Sequence, residues 1–232
     1  MDVYYRKEEG KGISMLLIKP NYEILTEIDG IKILQNIERA GRTCYKSEDK
    51  ISLDSAKKFV SSIMKSGHYS VIEHESLSAK FICDRGVTHE MVRHRLAAFS
   101  QESTRYCNYT KDKFNNQLTF IIPPWTKIDP GEYNKNTEVD FSADEQEWYS
   151  TMLYLEDKYH NLINMYGWSA QQARSVLPHA LKTEIVMTCN VREWLHVLKL
   201  RTGKAAHPQI IEVMEPLLKE LQYKIPILFD GV

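Results

Sequence analysis

Between residues 54 and 66 the apolar side chains Ala56, Phe59, Val60, Ile63 and Met64 recur three or four apart, which predicts an amphipathic helix. Lys65 and Gly67 supply its C-terminal signals. A second helix is predicted over residues 31–41. Leu77, Ala79, Phe81 and Cys83 then alternate with Ser78, Lys80, Ile82 and Asp84, the period of a half-buried strand. Gly86 turns the chain into a short helix expected to end near residue 95. A hairpin or loop is expected through residue 109, a strand over LTFIIP (118–123) and a surface loop over the polar residues 127–141. Ser142 with Glu145 reads as a capping box, and Trp148, Met152, Leu155, Tyr159, Leu162 and Tyr166 carry a long helix to Gly167. Ser169 and Gln172 cap a shorter helix stopped by Pro178. TEIVMTC is a predicted strand, Asn190 with Glu193 opens a helix to about residue 201, and Pro208 opens a last amphipathic helix. The run MLLI at Met15 reads as an edge strand, with residues 1–14 before it expected to be a disordered leader. Strands interspersed with helices predict an α/β (α+β) fold, a single domain over residues 15–232 with a central mixed sheet flanked by helices.

The chain has 232 residues, 43% of them hydrophobic, enough for a substantial core. Thirty Lys and Arg against 31 Asp and Glu leave no bulk charge to attract a nucleic acid polymer or an acidic membrane. No apolar run reaches the roughly 18 residues of a membrane helix, and a cytoplasmic location is expected. Cys44, Cys83, Cys107 and Cys189 are irregularly spaced without a C-x-x-C, so they read as free thiols rather than a zinc ribbon or redox pair. There is neither a G-x-G-x-x-G nor a G-x-x-x-x-G-K-[ST]; any cofactor phosphates must be met by side chains.

Three groups of residues offer such side chains. RHRLAAFSQESTRY (93–106) places three basic residues at an expected helix end, then a serine-rich turn and Arg105, with Phe99 and Tyr106 suited to a flat ring. On the helix from Asn190, Arg192, His196 and Lys199 share one face. SGHYSVIEHES (66–76) packs His68, Ser70, Glu73, His74 and Glu75 between a helix and a strand. No metal is expected: in HEMVRH, His89 and His94 lie roughly 140° apart around a helix and cannot share an ion.

Taken together, these strings resemble the flavin-dependent thymidylate synthases. RHRLAAFSQES has the R-H-R, seven-residue, serine spacing of that family's signature, and GHYSVIEH, ARSVLP, CNVREW and LKLRTGKAAHPQI stand around it in the family's order, covering roughly residues 42–216. The resemblance implies FAD as cofactor, contacted by Cys44, His68, Ser70, Glu73, Arg93, His94, Arg95, Ser100, Gln101, Asn190, Arg192 and His196. It implies dUMP binding by Glu90, Arg93, Gln101, Ser103, Arg105, Arg174 and Arg201. Ser103 and Arg201 stand at the catalytic positions, with Arg201 meeting the uracil ring. It further implies methylenetetrahydrofolate and NADPH as co-substrates, no cysteine nucleophile, and a homotetramer with shared active sites. At position 90, where this chain has glutamate, the family often has glutamine. Two other readings of the residues are a nucleic-acid-binding module using the R-H-R end and aromatic residues, and a related flavoprotein acting on another uracil nucleotide.

Overall fold

The structure, a computed structural model, describes residues 14–232, which pack as two compact units. One comprises residues 14–19 and 103–182, the other residues 20–102 and 183–232. In chain order the elements are β1 (Ser14–Ile18), β2 (Asn21–Ile24), α1 (Gly30–Thr43), α2 (Ser55–Ser66), β3 (Ser76–Asp84), α3 (Arg85–Met91), β4 (Ala97–Gln101) and β5 (Thr119–Ile121). There follow β6 (Gly131–Asn134), α4 (Ala143–Asn164), α5 (Ala170–Ala173), β7 (Lys182–Asn190), α6 (Val191–Arg201), α7 (Pro208–Lys224) and α8 (Pro226–Phe229). The α/β class is as expected, but the strands form two sheets rather than one, of order β5-β1-β6 and β2-β3-β7-β4. The leader expected over residues 1–14 lies outside the described residues except for Ser14, which opens β1 and whose hydroxyl, with its single proton, lies 2.9 Å from the Glu132 carboxylate and 3.1 Å from the Gln117 side-chain oxygen.

In the smaller unit β1 runs parallel to β5 and antiparallel to β6. Strand β6 lies inside the stretch expected to be a loop: its polar residues read as loop because only backbone pairing with β1, Met15 opposite Tyr133, makes it a strand. Helix α4 begins at the expected Ser142–Glu145 capping box and packs on β1. Of the predicted stripe, Met152 and Tyr159 are buried and Trp148, Leu155 and Leu162 pack partly buried against the same core, whereas Tyr166 is exposed; Tyr149 and Glu156 join the buried face unforeseen. Glu156 is tolerated there because Oε2 accepts the Leu118 N–H at 2.8 Å; Oε1 lies 3.0 Å from His160 Nε2 but makes no aligned hydrogen bond. Burial pushes its pKa up, opposed by His160 and the Leu118 N–H.

The larger unit is a four-stranded sheet with α1, α2, α6 and α7 in one core. Alternation in β3 buries Leu77, Ala79, Phe81 and Cys83, and in β7 Ile185, Met187 and Cys189. Trp194 of α6 is 1% exposed, and its indole N–H donates to the Leu77 carbonyl at 3.0 Å. Of the stretch expected as a serine-rich turn after R-H-R, residues 97–101 are instead strand β4, paired antiparallel with β7 from Ala97 opposite Cys189 to Gln101 opposite Ile185, and the turn comes only at Ser103, whose carbonyl accepts from the Tyr106 and Cys107 N–H groups. Serine and alanine have little strand propensity; the neighbouring strand overrides it. Helix α3 ends at Met91, four residues short of the expectation, so R-H-R forms the turn between α3 and β4.

At Gly41 in α1 an added Cβ would stand 2.6 Å from the Phe59 ring, itself covered by the Arg42 guanidinium at 4.6 Å. Gly41→Ala should therefore lower stability by about 1–3 kcal/mol despite alanine's better helix propensity. Urea unfolding at unchanged m-value checks this; an unaltered or raised midpoint contradicts the close packing.

Candidate functional site

The clearest constellation of the larger unit surrounds Arg201, the last residue of α6. Its Nε donates to Nε2 of His94 at 3.0 Å, Nη1 to the Glu90 carboxylate at 2.5 Å and Nη2 to the Glu90 carbonyl oxygen at 3.0 Å. Asp84 sets up one side, capping α3 through the Val87 N–H and accepting from Gln209 Nε2. After Met91 the R-H-R turn carries His94 inward, to 5% exposure, and leaves Arg93 and Arg95 exposed. Asn190 sets up the other side, its side chain accepting the Glu193 N–H to start α6.

His94 has little freedom of protonation. A guanidinium has no acceptor, so the nitrogen facing Arg201 must be bare and the neutral ring carries its proton on Nδ1. Nδ1 lies 3.6 Å from Oε1 of the buried Glu193. Burial, then Arg201, then His196, depress the His94 pKa to about 4, so the imidazole is neutral at physiological pH. His94, Glu193 and His196 have ligand atoms within 4.8 Å of one another. A metal on Nδ1 would nonetheless move the proton to Nε2, against the Arg201 N–H, so this donor set does not suit an ion.

A groove of about 270 Å³ opens beside α6, lined by Met64, Tyr69, Leu195, Arg192, His196 and Lys199 among others. Arg192 bonds Glu73 at 2.5 Å, so the expected groups from 66–76 and from α6 do meet. An apolar floor with three basic residues fits a flat ring system bearing phosphates, which is the chemistry of a flavin dinucleotide. His68 is the exposed N-cap of the short 3-10 helix Tyr69–His74, and Ser70 is exposed within it.

Other expected residues are placed differently. Gln101 directs its amide to Thr88 of α3 and Thr183 of the adjacent strand β7, at 3.0 and 3.3 Å. Ser100 is exposed on β4. Cys44 is the exposed C-cap of α1, its sulfur 4.0 Å from the Ala40 carbonyl of the same helix. In the smaller unit Ser103 Oγ accepts the Arg105 N–H at 3.3 Å, while Arg105 Nε donates to Gln171 at 3.0 Å and its guanidinium lies 5.4 Å from the Tyr106 ring centroid. Arg174 is exposed at the start of a 3-10 turn. Sequence reasoning missed Gln171 and the inward carboxylate of Glu193. For Glu193, the available signal was its i, i+3 spacing from His196 on one helix face.

The family model described as thymidylate synthase complementing protein matches residues 29–227. A flavin-dependent thymidylate synthase of Pyrococcus furiosus is 34% identical over 182 residues, covering 78% of this chain and 68% of the relative. Its namesake from Mycobacterium avium is 31% identical over 219 residues, covering 92% of this chain and 84% of the relative. Among solved structures, thymidylate synthase X from Helicobacter pylori with FAD and dUMP has a TM-score of 0.68 at 19% identity, covering 91% of this chain and 98% of that one. A UMP/dUMP methylase from Streptomyces cacaoi bound with 5-Br UMP has a TM-score of 0.70 at 20% identity, covering 93% and 95%. At such identities the two structures establish the fold alone.

The depressed pKa of His94 carries a sign. Between about 4 in the folded state and 6.5 unfolded, the unfolded chain binds the extra proton, so stability rises with pH. The contribution is complete above pH 6.5 and is lost as pH falls toward 4, with a slope of at most about 1.4 kcal/mol per pH unit. Urea unfolding from pH 4 to 8 should show this slope in the wild type and a shallower one in His94→Gln; parallel profiles would refute it.

Proposed function

Since the chain belongs to the thymidylate synthase complementing protein family and has flavin-dependent thymidylate synthases among its relatives, we propose that it reductively methylates dUMP to dTMP. We read residues 15–232 as one catalytic domain of a cytoplasmic homotetramer with shared active sites, methylenetetrahydrofolate giving the carbon. The hydride that completes the methyl group comes from NADPH by way of bound FAD, chemistry that no side chain of this protein supplies. The reading is carried by the clamped guanidinium of Arg201. Three of its N–H groups are held by Glu90 and His94, and the other two remain to meet a uracil ring that gains negative charge as its C5 attacks carbon.

For the flavin, Arg192, His196 and Asn190 on and before α6 act with His68, Ser70 and Glu73 from the neighbouring turn. Arg93, His94, Arg95, Ser100, Gln101 and Cys44 complete the proposed set. For dUMP, Ser103 and Arg105 take the phosphate with Arg174, while Glu90, Arg93, Gln101 and Arg201 serve the nucleoside. The Arg192–Glu73 pair holds Arg192 in place; a cofactor phosphate would draw on its remaining donors.

Protein saturated with FAD and desalted should keep the flavin absorbance, bleach with NADPH, and form dTMP when dUMP and methylenetetrahydrofolate are added. Colourless protein, or bleaching without dTMP, contradicts the proposal, and methylation of UMP alone would redirect it to ribonucleotides. Arg105→Ala should weaken dUMP binding by roughly 10- to 150-fold, as expected for loss of one or more charge-assisted bonds to phosphate. Arg201→Ala should instead lower turnover at saturating dUMP by about 10²- to 10³-fold, because its charge acts on the developing anion. Dissociation constants and single-turnover product formation separate the two. Normal turnover in saturated Arg201→Ala would reduce that residue to a binding role.

A further inference from the structure

Glu193 is the acidic residue in the first turn of α6, where an exposed carboxylate would merely favour the helix N-terminus. Instead it is 8% exposed and lies beside the Nδ1 edge of His94, 3.6 Å from Oε1. We infer that Glu193 is a positioning residue for Arg201, holding the His94 imidazole in the tautomer that accepts the Arg201 N–H. Its effect on catalysis rests on the proposed role of Arg201, whereas its effect on the tautomer stands by itself.

The charges around Glu193 direct it to this task. On one side is Cys189, a buried thiol raised by burial and by the Glu193 charge, hence neutral. On the other is His94, with His196 edge-on to it at 5.8 Å between ring centroids and Arg201 beyond. Nε2 is committed to the Arg201 donor, so the single ring proton sits on Nδ1 and faces the carboxylate. Were the carboxylate removed, the Nδ1–H would lose the negative charge it faces across 3.6 Å, an electrostatic contact rather than a hydrogen bond. The Nε2–H tautomer, in which N–H confronts N–H, would lie closer in energy and become populated. Arg201 would then retain only its two bonds to Glu90, both on the guanidinium's outer nitrogens, and could pivot about them.

The test uses full-length, FAD-loaded protein with 15N-labelled histidine, whose ring nitrogen shifts report the position of the proton. In the wild type His94 should carry Nδ1–H. Glu193→Gln, which keeps an oxygen acceptor, should preserve that tautomer and most of the turnover. Glu193→Leu should move the proton to Nε2 and lower turnover at saturating dUMP by about 10- to 100-fold, the effect of a misplaced catalytic group, with dUMP affinity changed far less. A Glu193→Leu protein with Nδ1–H and normal turnover overturns the inference. So does Nε2–H at His94 in the wild type, a result that needs no variant to fold. Wild-type protein that forms no dTMP would sink the functional reading, while the tautomers still decide the placement of Glu193.

Discussion

The guanidinium of Arg201 can only donate, and the groups that meet it must therefore accept. Glu90 satisfies it twice, through its carboxylate and its backbone carbonyl, and His94 satisfies it with a bare ring nitrogen. That requirement settles the protonation of the imidazole, which burial and the cation itself reinforce by driving its pKa down. It also ties the C-terminal end of α6 to the end of α3 and the turn that follows. A cation held in this way needs no rearrangement when negative charge develops beside it, which is the condition for electrostatic catalysis.

Helix α6 can present Arg201 because its other face is locked. Val191, Trp194, Val197 and Leu198 are buried in the core, the Trp194 indole is bonded to β3, and the Val191 N–H reaches the carbonyl of Glu75 just before that strand. With that face fixed in register, Arg192 and His196 must project outward along the groove. In the proposed flavin site such an arrangement would stand in for a glycine-rich phosphate loop, rigid secondary structure aiming long cationic side chains where a loop would aim backbone N–H groups.

The same logic explains why so many proposed ligand-binding groups are already paired. Arg192 is held by Glu73, Arg201 by Glu90 and Arg105 by Gln171. Each pairing restricts a flexible side chain before any ligand arrives, so less conformational entropy remains to be lost on binding. Each also leaves donors over, because an arginine has five N–H groups. Glu90 adds a charge where glutamine would offer an amide, and a carboxylate facing Arg201 makes the stronger bond.

What the sequence by itself determined was the periodic and the punctuated. The helix from residue 54, the alternating strands over 76–84 and 182–190, the capping boxes at Ser142 and Ser169 and the Asn190 cap all follow from local propensity and side-chain spacing. The order of its motifs also identified the family and most of the polar residues around Arg201. Only tertiary structure decided β4 and β6, whose residues have weak strand preference and are made strands by backbone bonds to distant partners. It likewise decided that the strands form two sheets and that Glu156 belongs to the buried face of α4, where a bond from Leu118 compensates its burial. Glu193 shows the same division at the site. As a third residue after a helix cap it reads as a capping partner, yet the turn between α3 and β4 brings His94 to its carboxylate from a distant part of the chain. Tautomers and pKa values follow from such encounters, because they depend on which groups share a low-dielectric space, and sequence spacing carries no record of that.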